Sequence, residues 1–178
     1  GSVGRQKTDS AKDTLAALNP GIDVVTHDVR LDADNAADIL AGYDLVADGS
    51  DNFDTRYLLN ELCYQSGTPL VAAAMLRFEG QLFTFRRDDD NPTACYRCIF
   101  PEAPPEDLVP RCEEAGILGA LAGVMGALQT TEVLKEVLDQ GLEDVAMFGF
   151  CDPDVVAAME AAGVGSEITV DLGGKVDM

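Results

Sequence analysis

The sequence predicts an α/β fold, a partial Rossmann-like open sheet with covering helices, and three observations support this prediction. Apolar strands alternate with helices between residues 35 and 73, with short links, which is the order found in parallel sheets. A helix begins directly after an apolar strand that ends in acids at Asp48, where open α/β sheets place ligands. No G-x-G-x-x-G turn opens the sequence, so we expect the fold to lack its first glycine-rich βα unit.

Helical spacing and stop signals predict the helices. The predicted helices are Thr8–Leu18, about Asn35–Leu40, Asn52–Gln65 and about Gly116–Leu138. Asn19-Pro20-Gly21 ends the first of them, and Gly67 ends the third. The proline-rich stretch from Pro101 to Pro110 cannot be regular helix or central strand.

Alternation and β-branched residues predict the strands. They are Ile22–His27, Tyr43–Asp48, Pro69–Ala73, Met75–Phe78 and Gln81–Arg86. The last two flank Glu79-Gly80, so we expect a hairpin with its turn at that dipeptide.

The charge balance excludes one class of partner and suggests a source. The chain has 178 residues, with 32 acids against 12 bases and a net charge of −20. A nucleic-acid partner is not expected, because phosphate backbones need a basic surface. Acids spread along the chain repel one another, and high salt screens that repulsion, so we expect a halophilic protein; the alternative is an ordinary acidic soluble protein.

The cellular location is predicted from apolar stretches and cysteines. The most apolar stretch, Gly116 to Gln129, has about 14 residues, fewer than the roughly 18 of a membrane span, so no membrane is expected. No signal or transit peptide is recognised at the start. The chain has five cysteines, an odd number with one close pair, which suits a reduced cytoplasm with metal or thiol chemistry.

An acidic segment, Asp48 to Arg56, lies at a strand end just before a helix. A carboxylate there can hold Mg²⁺ directly or through water, and the metal can bridge phosphate oxygens. Asn52 can cap the helix, and Arg56 can pair with an acid or a phosphate. The alternative is an acidic loop with a good N-cap and no ligand.

Two cysteine motifs follow. The spacing of Cys95 and Cys98 fits two thiolates of a tetrahedral zinc site, but such a site needs four ligands, so redox-active and vestigial interpretations stay open. Cys112 lies between the proline-rich stretch and a long helix, where a helix dipole and Arg111 would favour a nucleophilic thiolate, whereas Glu113 and Glu114 would disfavour it. The alternative is that Cys112 is a small apolar residue in a loop.

These motifs belong to a longer pattern of nine segments. In chain order they are Val3-Gly4-Arg5-Gln6-Lys7, Leu18-Asn19-Pro20, Asp48-Gly49-Ser50-Asp51-Asn52 with Arg56 and Asn60, Pro69-Leu70-Val71, Phe78-Glu79-Gly80-Gln81, Cys95-Tyr96-Arg97-Cys98, Phe100-Pro101-Glu102, Cys112-Glu113-Glu114-Ala115-Gly116, and Gly126-Ala127-Leu128-Gln129 with Glu132. Residues 3 to about 141 therefore resemble the MoeB/ThiF/UbaA family of carrier-protein-activating enzymes.

The resemblance implies an activity. Members of this family use ATP to adenylylate the C-terminal glycine of a ubiquitin-like sulfur-carrier protein ending in Gly-Gly. The activated carboxylate then serves sulfur transfer for molybdopterin, thiamin or tRNA, or protein modification. By resemblance, Lys7 contacts ATP phosphates, Asp51 is the magnesium-site and catalytic aspartate, and Asn52 and Arg56 belong to the nucleotide site.

The cysteines are also assigned by resemblance. Cys95 and Cys98 match half of a zinc site, and Cys112 matches the catalytic thiol on the crossover loop. The second C-x-x-C of the family is not found, so we expect sub-stoichiometric zinc. The family's N-terminal part is not found either, so we expect that this chain alone does not adenylylate a carrier. A homodimer is expected.

The predicted domains are residues 1–141, the C-terminal part of the adenylation domain, and residues 142–178, a tail of different origin with a short helix and a strand. The tail resembles, over some 35 residues, the C-terminal domain of MlrC-type metallopeptidases, but it contains no metal-ligand set. An alternative function for the chain is a non-catalytic module that binds a carrier or dimerises. A weaker one is a thiol-redox or zinc-ribbon protein built on Cys95 and Cys98.

Overall fold

The structure, a computed structural model, describes residues 3–87, 93–105, 116–138 and 147–149. The chain divides into two compact units, Gly1–Asp32 and Ala33–Met178. The first unit contains helix α1, Lys7–Leu18, in which no residue is buried. The helix predicted at Thr8–Leu18 is confirmed, with its start one residue earlier. Asn19 caps its end, and the Asn19 side chain accepts a hydrogen bond from the amide of Gly21 at 3.0 Å.

The strand predicted at Ile22–His27 is wrong, because this segment has no regular structure. Ile22 and Val25 are exposed, and no other strand is described among residues 3–32. An alternating segment becomes a strand only when a neighbouring strand accepts its backbone hydrogen bonds. The alternating sequence does not show whether such a neighbouring strand is present.

The second unit contains one sheet and four helices among its described residues. Its elements are α2 (Ala36–Leu40), β1 (Val46–Asp48), α3 (Phe53–Ser66), β2 (Leu70–Leu76), β3 (Glu79–Phe85), α4 (Tyr96–Ile99), α5 (Gly119–Val137) and β4 (Met147–Gly149). The strand order is β1-β2-β3-β4. β1 and β2 are parallel, while β3 is antiparallel to both β2 and β4. The predicted parallel pair and hairpin are confirmed, although β1 is shorter than the predicted strand.

Helix α3 has both of the end signals that its sequence predicts. The Asn52 side chain accepts a hydrogen bond from the Thr55 amide at 2.9 Å, which satisfies one of the free amides of the first turn. At the other end Gly67 adopts φ 75°, and its amide bonds to the Cys63 carbonyl. A residue with a side chain would be strained there, so glycine ends the helix cleanly.

The hairpin turn lies two residues before its predicted place. Leu76 pairs with Glu79, so Arg77, at φ 55°, and Phe78 form the turn, and Gly80 is within β3 opposite Met75. A Cβ at Gly80 would lie 2.5 Å from the Met125 sulfur of α5. Glycine is therefore explained by the close approach of a helix and not by a turn.

The core lies between the sheet and α5. Its buried members are Val71, Ala73, Leu82, Leu121 and Met125. The helix begins at Gly119, three residues later than predicted, because the preceding residues bond to the hairpin turn. The backbone amide of Arg77 donates to the Gly116 carbonyl, and the backbone amide of Leu118 donates to the Arg77 carbonyl. The predictions for residues 106–115, including Cys112, and for nearly all of the tail lie outside the described residues.

Candidate functional site

The acidic loop that follows β1 (residues 49–52) is held by a buried carboxylate. Asp48 is only 4% exposed, and its Oδ1 accepts a hydrogen bond from the Ser50 amide at 2.7 Å. Asp51 is exposed at the carboxyl end of the parallel pair, and the Asn52 side-chain amide lies 3.4 Å from its Oδ1. One carboxylate therefore fixes the loop, while the next faces solvent and is free to take a cation or a ligand.

Arg56 binds this loop from the first turns of α3. Its Nη2 donates to the Ser50 carbonyl at 2.8 Å, and its guanidinium carbon lies 5.4 Å from the centre of the Phe53 ring. The structure thus brings Asp51, Asn52 and Arg56 together. It also shows that part of the Arg56 side chain is engaged by the protein, which the sequence did not indicate.

Gln129 of α5 ties the loop to the sheet, and the sequence analysis assigned it no role. Its Nε2 donates to the Asp48 carbonyl at 2.8 Å and to the Val71 carbonyl at 3.0 Å. One side-chain amide therefore joins the ends of two neighbouring strands to the long helix. The only sequence signal was the position of Gln129 within a motif of the resembled family.

The cysteine pair lies at the short helix α4, of which Cys95 is the N-cap and Cys98 a member. The two sulfur atoms are 3.5 Å apart; Cys98 is exposed and Cys95 is half-buried. Two thiolates at the usual Zn–S distance of about 2.3 Å in a tetrahedral site are roughly 3.8 Å apart, so the pair fits one edge of such a site. Among the residues that the structure describes, no group of three or more histidine, cysteine or acidic side chains completes it.

The Cys98 thiol has a raised pKa. The backbone hydrogen bond at Cys95 lowers that pKa, but burial, the side-chain hydrogen bond and the charge of Cys95 together raise it more. Without a metal, the Cys98 thiol is therefore mainly protonated at neutral pH.

The residues around the pair anchor α4. Tyr96 is buried, and its amide donates to the buried Asn60 side chain at 2.8 Å. Its ring lies 4.9 Å from that of Phe100 and 6.4 Å from that of Phe83. Burial raises the pKa of the Tyr96 hydroxyl, and the charge of Arg56 lowers it by a smaller amount, so these side chains lie close together. The backbone that carries the two thiols is firmly held.

Cys63 is a buried thiol on α3. Burial, followed by the negative charge of Asp48, raises its pKa to about 11. A thiol that is buried and also ionises only near pH 11 is a poor nucleophile and a poor metal ligand at neutral pH. Cys63 therefore belongs to the core, where cysteine acts as a small apolar residue.

Two acids on α5, Glu132 and Glu136, make contacts to which the sequence analysis assigned no role. Glu132 is 2% exposed, and its carboxylate bonds to Lys135 Nζ at 2.9 and 3.0 Å and to the Thr84 hydroxyl at 3.3 Å. Glu136 forms an ion pair with Arg86 at 2.6 Å. These contacts fix α5 against β3. The spacing of residues in the sequence does not distinguish these acids from acids that face solvent.

Lys7 belongs to the other unit of the chain. It is exposed at the start of α1 and lines an open groove with Arg5, Ser10 and Thr14. Arg5 pairs with Asp13 at 2.6 Å, and this pairing raises the pKa of the Arg5 guanidinium. The charge of Lys7 is therefore accessible to an anion.

The catalytic thiol predicted at Cys112 lies outside the described residues.

No helix in the described part of the chain is long and apolar enough to cross a membrane.

Comparison with families and curated proteins supports the resemblance. The profile of the ThiF family matches residues 1–153. The chain is 46% identical over 139 residues to the SAMP-activating enzyme E1 of Haloferax volcanii, which covers 78% of this chain and 50% of the relative. It is 46% identical over 145 residues to the sulfur carrier protein adenylyltransferase of Thermus thermophilus, which covers 78% and 52%. The chain thus spans about half the length of these relatives.

Solved structures confirm the fold class. Escherichia coli MccB crystallised with ATP has a TM-score of 0.62 at 17% identity, over 82% of this chain and 45% of that chain. MccB with SeMet MccA gives a TM-score of 0.60 over 82% and 44%. The match is to the open-sheet fold alone at this identity. The family resemblance is confirmed, whereas the resemblance of the tail to MlrC-type proteins stays a prediction.

Proposed function

Because the chain belongs to the ThiF family, we propose that it is part of an enzyme that uses ATP to adenylylate the C-terminal glycine of a ubiquitin-like sulfur carrier ending in Gly-Gly. The observation that carries this proposal is the exposed Asp51 on a loop held by Asp48, Arg56 and Gln129. A pre-formed acidic loop at the end of a parallel strand is where a nucleotide and its cation bind in this class of fold.

The reaction sets what the site must do. An oxygen of the carrier carboxylate attacks the α-phosphorus of ATP, the bond from that phosphorus to the bridging oxygen breaks, and pyrophosphate leaves. Negative charge develops on the phosphate oxygens, so fixed positive charge at those oxygens lowers the barrier. Mg²⁺, when bound, would neutralise part of this charge.

This chain supplies several groups for that task. The exposed Asp51 carboxylate would hold Mg²⁺, directly or through water, with the Asn52 amide beside it. Lys7 would contact the phosphates with its exposed ammonium group. Arg56 would serve the nucleotide site with the part of its guanidinium that does not bind Ser50.

Cys112 would act after adenylylation. As a thiol nucleophile it would attack the acyl-adenylate, form a thioester with the carrier and release AMP. The activated carrier would then serve sulfur transfer or the modification of another protein.

Zinc would be held by Cys95 and Cys98 as half of a site, with waters or a neighbouring subunit completing its shell, so the zinc content would be sub-stoichiometric. The 3.5 Å between the two sulfur atoms supports this assignment. Bound zinc would have a structural role, fixing α4 and the segment that follows it.

The decisive experiment transplants this chain into a longer relative. In the H. volcanii SAMP-activating enzyme E1, the matching 139-residue segment is replaced by the sequence of this chain. Carrier-dependent ATP–pyrophosphate exchange is then measured. We expect exchange, and an Asp51→Asn loss of about 100-fold or more, the size seen when one electrostatic contact to a transition state is removed.

Asp54→Asn is the matched control, because Asp54 is an exposed carboxylate on the first turn of the same helix. It should leave exchange nearly unchanged. Cys112→Ala should preserve exchange and abolish the thioester. If the chimera binds its carrier but shows no exchange, or if Asp51→Asn and Asp54→Asn behave alike, the proposal is wrong.

A second candidate function is a non-catalytic module that binds the carrier or forms a homodimer. The exposed apolar residues of α5, among them Val124, Leu134 and Val137, favour this candidate. Sedimentation of the chain across a concentration series tests the homodimer. Carrier binding without ATP, in a chimera that shows no exchange, would favour the module over the enzyme.

The cell type is part of the proposal. The net charge of −20 and the cysteine content suit the cytoplasm of a halophilic organism. The domain boundary near residue 141 is proposed on the sequence alone, although Met147–Gly149 pairs with β3.

A further inference from the structure

We propose that Cys95 and Cys98 form a reversible dithiol–disulfide site that reacts with low-molecular-weight disulfides whenever zinc is not bound. The proposal concerns this pair alone and does not depend on adenylylation. It starts from the short distance of 3.5 Å between the two sulfur atoms.

The geometry needs only a small movement. The sulfur atoms lie 3.5 Å apart, and a disulfide bond is about 2.05 Å long, so the two atoms must approach by roughly 1.5 Å. Each sulfur atom moves when its side chain rotates about the Cα–Cβ bond, so side-chain rotation changes the distance between the two sulfur atoms.

The surroundings favour a local disulfide. Tyr96 and Ile99 are buried and hold α4 against the core. Cys98 is exposed, so a small disulfide can reach it, and Cys95 is half-buried beside it. Cys63 is not a competitor, because it is buried and its pKa is about 11.

The chemistry takes two exchange steps. The Cys98 thiolate attacks one sulfur of oxidised glutathione, forming a Cys98–glutathione disulfide and releasing one glutathione thiolate. The Cys95 thiolate then attacks the Cys98 sulfur, forming the Cys95–Cys98 disulfide and releasing the second glutathione thiolate. Two protein thiols lose their protons and are oxidised, and one glutathione disulfide is reduced to two thiols. Reduced glutathione in excess reverses both steps.

The test is mass spectrometry of the whole chain after EDTA treatment and incubation with oxidised glutathione. Trypsin cleaves after Arg97, between the two cysteines, so a Cys95–Cys98 disulfide joins two neighbouring peptides, residues 88–97 and 98–111. The other cysteines fall on three further peptides, which makes any different pairing visible. We expect the joined peptides as the main oxidised product, lost again with reduced glutathione.

Matched variants separate the two steps. Cys95→Ser should leave a stable glutathione adduct on Cys98, because no resolving thiol remains. Cys98→Ser should react more slowly than the wild type, since Cys95 is half-buried. A wild-type product with glutathione still on Cys98, a disulfide from the pair to Cys112, or no reaction would each overturn the proposal.

Discussion

Gln129 is the residue whose replacement gives the sharpest test of how the acidic loop is held. Its side-chain amide donates one hydrogen bond to the Asp48 carbonyl at 2.8 Å and one to the Val71 carbonyl at 3.0 Å. Two substitutions of similar size probe this contact. Gln129→Met keeps the length of the side chain but has no donor, whereas Gln129→Glu also places negatively charged oxygens against the two carbonyls.

The magnitudes follow from the number of bonds. Each hydrogen bond contributes a net 0.5–1.5 kcal/mol, so Gln129→Met should lower the free energy of unfolding by about 1–3 kcal/mol. Gln129→Glu at pH 8 should cost roughly 2 kcal/mol more, because a partly buried charge is then left without a donor.

The pH dependence distinguishes the two variants. The carboxylate introduced by Gln129→Glu lacks donors in the folded state, so its folded pKa should be higher than its unfolded value. Such a group contributes stability at low pH and loses it as the pH rises through the folded pKa. The deficit of Gln129→Glu should therefore shrink between pH 8 and pH 5.5, while that of Gln129→Met should stay constant.

Urea unfolding followed by circular dichroism measures both deficits at each pH. Protection of the loop amides at residues 49–51 against hydrogen exchange reports on the loop itself. This role of Gln129 would be refuted by a Gln129→Met variant with unchanged stability and amide protection. It would also be refuted by two variants whose losses of stability respond to pH in the same way.

Three further predictions follow from the packing and the charge. Burial raises the pKa of Cys63 to about 11, while the unfolded thiol ionises near pH 8.5, so the free energy of unfolding should fall between those pH values by at most about 3 kcal/mol. Urea titrations at each pH measure this fall, and it should be absent from a Cys63→Ala variant. Gly80→Ala should lower the free energy of unfolding by about 1–3 kcal/mol through its clash with Met125, and a double-mutant cycle with Met125→Ala should show strong coupling; additive effects would contradict the clash. The melting temperature should rise between 0.1 and 1 M KCl, because the screening length falls from about 10 to 3 Å and salt then screens the repulsion that a net charge of −20 produces. A melting temperature that does not change with KCl in calorimetry would contradict the proposal of a halophilic protein.

Local signals predicted the parts of the fold that depend on neighbouring residues. The ends of α3 follow from Asn52 and Gly67, whose backbone and side-chain bonds lie within a few residues. The acidic loop could likewise be placed, because strand, loop and helix are consecutive in the chain. In the same way, the hairpin was expected from two short apolar runs.

The errors came from contacts between distant residues. Gly80 looked like a turn residue, but its lack of a side chain is required by Met125, which lies 45 residues later on α5. The Ile22–His27 alternation carried no information on whether a partner strand was present. Gln129 and Glu132 are polar residues on a helix, and only the tertiary structure shows that they contact the sheet.

Helix α3 links the acidic loop to the cysteine pair. Near its start, Arg56 donates to the Ser50 carbonyl of the loop, and the charge of the same guanidinium acts on the Tyr96 hydroxyl between the two cysteines. One turn further along, Asn60 accepts the Tyr96 amide. A displacement of α4 would therefore strain contacts on the same helix face that fixes the loop. Zinc binding or disulfide formation at the cysteines should stiffen α4, and we expect that stiffening to reach the loop through Tyr96 and Arg56 rather than through the sheet.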